Sequence, residues 1–132
     1  LKPIVRFVKG AYLEPASIAF PEKRDVDENF YKLAVRLMQP DGVPAGARAV
    51  FGTHDSVLHA RIAAAAAHLD KKQYEFHMLY GIRSEEQKRL IEAGYNVYVL
   101  ISYGEFWFPW YMRRLAERPA NVWFVVKTMF QA

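Results

Sequence analysis

The chain has 132 residues, 52% of them hydrophobic, enough to fill the core of one modest domain. It contains no cysteine, which excludes disulfides, thiolate metal sites and a cysteine nucleophile and fits a reducing compartment. Its net charge of +4 comes from scattered Lys and Arg without a basic run, which argues for solubility or an anionic small ligand and against nucleic acid.

Leu1 is followed almost at once by a strand-like run, as expected of a piece of a longer or processed chain. The first strand is expected over residues 4–9, rich in β-branched and aromatic side chains and ending at Gly10. Apolar residues then recur at helical spacing from Val26 to Met38, and Pro40-Asp41-Gly42 stops that helix. A second strand is expected over 47–52. A helix follows, capped by Asp55 or Ser56 and running to about Leu69 through the alanines at 63–67. The third strand is expected over 74–79. Ser84 and Gln87 have capping-box spacing for the next helix, and Gly94 is suited to end it. The fourth strand is expected over 96–102, and a last helix from Glu105 or Phe106, interrupted at Pro119.

Four strand–helix units imply parallel strands joined by right-handed crossovers, hence an α/β fold: a small open sheet or half of an eight-stranded barrel. No linker divides the chain, so residues 1–132 are expected to form one domain without an internal boundary. No uncharged apolar run reaches membrane-spanning length, because Glu105 and Arg113-Arg114 interrupt the most apolar region.

In either architecture ligands bind at the C-terminal ends of the strands. There stand Lys9-Gly10-Ala11-Tyr12, Thr53-His54-Asp55, Leu79-Tyr80-Gly81 and Ser102-Tyr103-Gly104. Lys9 and Gly10 suit a phosphate or an electron-rich ring, or serve only as a helix-cap lysine and a turn glycine. His54 suits phosphate binding, acid–base work or a structural hydrogen bond. Arg113 and Arg114 suit a small carboxylate, with Glu117 one turn after Arg113; the alternative is a solvated helix face. The four histidines lack metal-ligand spacing, and neither a nucleophile elbow nor a GxGxxG fingerprint is present. A site that holds an anion but has no evident reactive side chain is typical where a cofactor carries the reaction.

Four blocks carry a more specific signal: Arg6-Phe7-Val8-Lys9-Gly10-Ala11-Tyr12-Leu13, Phe51-Gly52-Thr53-His54-Asp55, the run from Tyr74 to Gly81, and the run from Tyr111 to Asn121. In this order they closely resemble the bacterial proline dehydrogenases, over essentially the whole chain. These are flavoenzymes, either separate proteins or the first domain of the bifunctional proline catabolic enzyme. The resemblance implies a distorted (βα)8 barrel, of which this chain would supply the last four βα units. It implies FAD as cofactor, L-proline as substrate and a quinone as electron acceptor.

By the same resemblance, Arg6 would lie near the flavin N5 edge, as the residue closest to the chemistry. Val8, Lys9, Gly10 and Ala11 would hold the flavin and its ribityl-phosphate region. Thr53 and His54 would contact the more distant part of FAD, and His77, where many relatives have glutamine, would also face the cofactor. Tyr12, Leu79 and Leu100 would line the substrate pocket, Leu100 standing where relatives often have tyrosine. Arg113 and Arg114 would pair with the proline carboxylate, and Glu117 would hold Arg113. Trp110 replaces a tyrosine common in the family.

The family's substrate-binding lysine and catalytic-site aspartate come from earlier strands, so activity is expected only where the N-terminal half of the barrel is supplied. The rival expectation is a non-catalytic half-barrel that acts as a scaffold or dimerises through open strand edges. A cytoplasmic location is expected, with peripheral contact at the inner face of the membrane as an extension of it.

Overall fold

The structure, a computed structural model, describes residues 2–9, 14–105 and 109. The chain forms two compact units, one of Leu1–Lys9 with Glu22–Ile101 and one of Gly10–Pro21 with Ser102–Ala132. In the second unit, the Pro15 carbonyl accepts from the amides of Ile18 and Ala19 in a tight turn.

The first unit runs β1 (Ile4–Val8), α1 (Lys23–Leu37), β2 (Arg48–Gly52), α2 (Ser56–Ala65), a 3-10 turn at Lys71–Gln73, β3 (Tyr74–Leu79), α3 (Ser84–Glu92) and β4 (Asn96–Leu100). The strands form one sheet in the order β1-β2-β3-β4, parallel throughout. The expected α/β alternation is therefore present. Two strands end earlier than expected, β1 at Val8 and β4 at Leu100.

The three helices cover one face of this sheet. Phe30 and Ala34 of α1, Leu58 and Ile62 of α2 and Leu90 of α3 share one buried cluster with Ala49, Phe51, Tyr74, Phe76 and Met78 of the strands. Phe51 is its centre: its ring stacks on Phe7 at 6.2 Å and meets Phe30, Tyr74 and Phe76 at tilted or edge-on angles. Side chains alternate along a strand, so the opposite face carries the intervening residues. By register these are Ile4, Arg6 and Val8, then Arg48, Val50 and Gly52, then Glu75, His77 and Leu79, then Asn96, Tyr98 and Leu100. Ile4, Val8, Tyr98 and Leu100 are each at least half exposed there. Parallel sheets are ordinarily covered on both faces; among the described residues, this one has helices on one side.

The helix ends correct two expectations. Ser84 is not an N-cap: Arg83 takes that place in the left-handed conformation, with φ 50°, and makes no side-chain cap. Gln87 instead donates to the carbonyls of Leu79 and Ile82, 3.1 and 2.9 Å away, bracing the β3–α3 loop. The capping box occurs at Asp70 and Gln73, where it turns the chain into β3. Helix α2 stops at Ala65 rather than Leu69, because the chain folds back to pack Ala66 and Leu69 against the core. Gly94 ends α3 as expected, with φ 86° and the Tyr95 amide donating to Leu90. The expected last helix lies outside the described residues.

Replacing Phe51 by alanine removes the ring that all the neighbouring strands and α1 pack around. The expected cost is about 3–5 kcal/mol, a large share of a small domain's stability, read as a shift of the urea midpoint.

Candidate functional site

Parallel pairing brings the C-terminal ends of all four strands to one rim. The ladder continues one residue past the strands, the Lys9 amide donating to Gly52 and the Tyr80 amide to Leu100. On the open face of this rim, Arg6 is exposed and reaches over the end of β2, where a Cβ on Gly52 would lie 3.7 Å from its Nη2. The same Cβ would be 3.2 Å from the Phe7 carbonyl oxygen, so glycine permits the close approach of β1. Val8, half exposed Leu100 and its register partner Leu79 add an apolar border.

Lys9 is directed elsewhere. Its ammonium donates to Asp55 Oδ2 at 2.8 Å and pairs with Asp27 of α1, while Lys23 pairs with the same two carboxylates from the surface. Asp55 is also the N-cap of α2: its Oδ1 accepts from the amides of Val57 and Leu58. Burial would raise the Asp55 carboxyl, but the hydrogen bond and charge of Lys9, the Leu58 amide and Lys23 outweigh it and hold the group far below the ordinary carboxylate range. Asp27 follows the same logic: burial pushes up, Lys23 and Lys9 push down, and the net shift is downward. A cavity between the first turns of α1 and α2 adjoins this cluster, but its charges are largely paired, Lys23 with Asp27 along α1 and Arg61 with Glu28 across the cavity.

Thr53 is buried, and its Oγ1 accepts from the Asp55 amide at 3.2 Å. His54 Nε2 accepts from the Leu79 amide at 2.9 Å, which ties the end of β2 to the end of β3 and leaves the ring proton of the neutral form on Nδ1. Burial, then the electrostatic influence of His59 and Arg83, lowers the His54 pKa to about 4, so the ring is uncharged at neutral pH.

Deeper on the open face, buried Glu75 accepts from Arg48, and its Oε2 lies 3.0 Å from His77 Nε2. His77 packs on Tyr98 with ring centroids 5.2 Å apart. The structure thus brings His54 together with Leu79, Arg6 with Gly52, and Leu79 with Leu100, while the Lys9 ammonium is occupied by Asp27 and Asp55. The residues Gly10, Ala11, Tyr12, Arg113, Arg114 and Glu117 lie outside those described. The roles of Asp27, Glu75, His59 and Glu86 were not evident in the sequence. Only Asp55, directly before a helical run, carried a local signal.

The cap and ion-pair roles of Asp55 are separable. Asp55→Ala is expected to cost about 1–2 kcal/mol at pH 7, because cap and charge are both lost. Asp55→Asn keeps the cap and loses only the charge. A depressed carboxyl stabilises above its unfolded value near pH ~4 and loses that contribution as pH falls through the folded value. The gap between wild type and Asp55→Asn in urea unfolding should therefore narrow below about pH 4. A gap independent of pH would show that Lys9 contributes nothing through charge.

Comparison with known proteins gives this chain a family. The family model described as proline dehydrogenase matches residues 2–127. Proline dehydrogenase 1 of Bacillus subtilis (strain 168) is 44% identical over 129 residues, 96% of this chain and 41% of that protein. Proline dehydrogenase 2 of Bacillus subtilis subsp. natto is 42% identical over 131 residues, 98% of this chain and 41% of that protein. The proline dehydrogenase of Deinococcus radiodurans is 41% identical over 133 residues, 99% of this chain and 41% of that protein. The chain spans about two-fifths of the length of these curated relatives.

Proposed function

The chain belongs to the proline dehydrogenase family, and on that premise we propose that it forms part of an enzyme oxidising L-proline to Δ1-pyrroline-5-carboxylate. The observation that carries this reading is the family match across residues 2–127. We further propose that its sheet is the second half of a (βα)8 barrel. Helices on one face among the described residues, with an open face bearing Arg6, His77 and Tyr98, support that architecture, in which the open face would become the barrel interior.

FAD fits the residues at the rim. A flavin is a flat, largely apolar ring with polar edges, and the strand ends offer an apolar border at Val8, Leu79 and Leu100 with an exposed guanidinium at Arg6. Bound there, FAD supplies the hydride acceptor for the oxidation of proline. Quinone is the proposed electron acceptor, and a cytoplasmic enzyme at the inner membrane face the proposed setting.

Within this reading, each side chain has a bounded task. Arg113 and Arg114 hold the proline carboxylate in a two-armed clamp, with Glu117 steadying Arg113. Leu79, Leu100 and Tyr12 pack the ring and keep water from it. Arg6 would place positive charge beside the bound cofactor, where it would favour developing negative charge. His54 offers a neutral Nδ1–H donor, with Thr53 beside it. Val8, Gly10, Ala11 and His77 would line the cofactor, and Lys9 acts through its salt bridges, holding the end of β1 to Asp55 at the start of α2. Orientation is the main contribution such a site makes, worth about 7–11 kcal/mol at best.

The full-length protein that carries this segment is expected to purify with the yellow absorption of a flavin and to oxidise proline with a quinone analogue. Alanine at Arg113 or Arg114 should raise KM for proline at least tenfold, about 1.4 kcal/mol of binding. Unchanged KM in both variants would overturn the clamp.

The open edges at β1 and β4, each paired on one side among the described residues, favour a second reading: a non-catalytic half-barrel that associates through those edges. A colourless, proline-inert protein that sediments as a dimer would support it.

A further inference from the structure

His59 is fully buried on α2, one turn behind the rim, and it connects three elements. Its Nδ1 lies 2.9 Å from Glu86 Oε1 on α3, and its Nε2 lies 3.0 Å from the carbonyl oxygen of Thr53 at the end of β2. Both partners are acceptors. A backbone carbonyl has no proton to give. Glu86 is ionised, since both of its oxygens accept from Arg89 at 2.7 Å. That hydrogen bond, opposed by burial and reinforced by His59, brings the carboxyl down to about 2. A neutral imidazole has one N–H and would set a ring lone pair against one of these oxygens. Only the doubly protonated ring satisfies both contacts, and a buried polar contact left unmade is costly. The edge of Phe76, 4.8 Å away between ring centroids, closes one side of the ring.

The contact to Thr53 links this charge to the rim. Thr53 precedes His54, so a carbonyl drawn inward by His59 sets the path of the chain into His54, whose Nε2 then meets the Leu79 amide. The charged groups around the two histidines are Glu86 and Arg89 from α3 and Arg83 from the β3–α3 loop, with His59 itself acting on His54. With Glu86 shared between Arg89 and His59, the local charge stays positive, which disfavours a second proton on His54.

We propose that His59 is a buried imidazolium acting as a positioning residue: through the Thr53 carbonyl it orients the β2–α2 loop and keeps His54 as the neutral Nδ1–H tautomer, so that His54 meets its ligand as an uncharged hydrogen-bond donor. The functional importance of this arrangement rests on the reading of His54 as a cofactor-facing residue; the protonation states themselves do not.

Nitrogen-15 NMR of the histidine rings in the full chain, selectively labelled at histidine, tests it without any cofactor. Between about pH 5 and 8, where an ordinary histidine changes charge, His59 should stay doubly protonated and His54 should stay neutral with its proton on Nδ1. A neutral His59 ring at pH 7, or a His54 ring that titrates across this window, overturns the proposal. Glu86→Gln supplies the second arm. It removes the carboxylate that holds the His59 proton, so His59 should titrate within the window and the His54 titration should move upward with it. A His54 ring unchanged while His59 becomes neutral would show that the two are not coupled. Neither result depends on proline turnover, so failure here and failure of the enzymatic reading can be told apart.

Discussion

Four consecutive strands paired in parallel, each crossing to the next over the same face of the sheet, place their C-terminal ends on one rim and, among the described residues, their helices on one side. The two faces then have different chemistry. The helix side is closed by Phe7, Phe30, Phe51, Tyr74 and Phe76, whose rings meet edge-on, stacked or tilted. The other side holds Arg6, Arg48, Glu75, His77 and Tyr98 within a partly apolar surface. A polar network would be costly in a dry core; here Glu75, the most buried of these groups, is compensated by Arg48 and His77.

The rim is held together by two hydrogen-bonded and ion-paired clusters. Lys9, Asp27, Asp55 and Lys23 join the end of β1 to the starts of α1 and α2 in an alternating ion cluster. His54, His59 and Gln87 join the ends of β2 and β3 to α2 and α3. Both devices compensate buried charge or polar backbone while fixing the path of a loop. A ligand-binding surface on loops needs such support, because unsupported loops are the least rigid parts of a fold.

The strands and helices were largely legible in the sequence because their signals are local. The start and end of β3, the end of β2 and the stop at Gly94 follow from β-branched and aromatic runs and from glycine. The failures also have local causes. Ser84 and Gln87 satisfy a capping pattern in sequence, yet Gln87 finds better use on the carbonyls of the preceding loop. The alanine run favours helix throughout, yet α2 stops at Ala65 so that Leu69 can return to the core. Propensity yields to packing in that case.

The site divides in the same way. The chain itself determined its α/β alternation, the residues at its strand ends and a resemblance to the proline dehydrogenases that the family match across residues 2–127 supports. Those depend on residue order alone. The partners of Lys9, the ring state of His54 and the bridge made by His59 were decided only by the tertiary structure. Asp27, Asp55, Glu86 and Leu79 come within hydrogen-bonding distance of those groups from 18 to 46 positions along the chain, or are reached through a backbone atom. A charge or a tautomer is set by what lies within a few ångströms. In a parallel fold those neighbours belong to other strands and helices, and only packing brings them together.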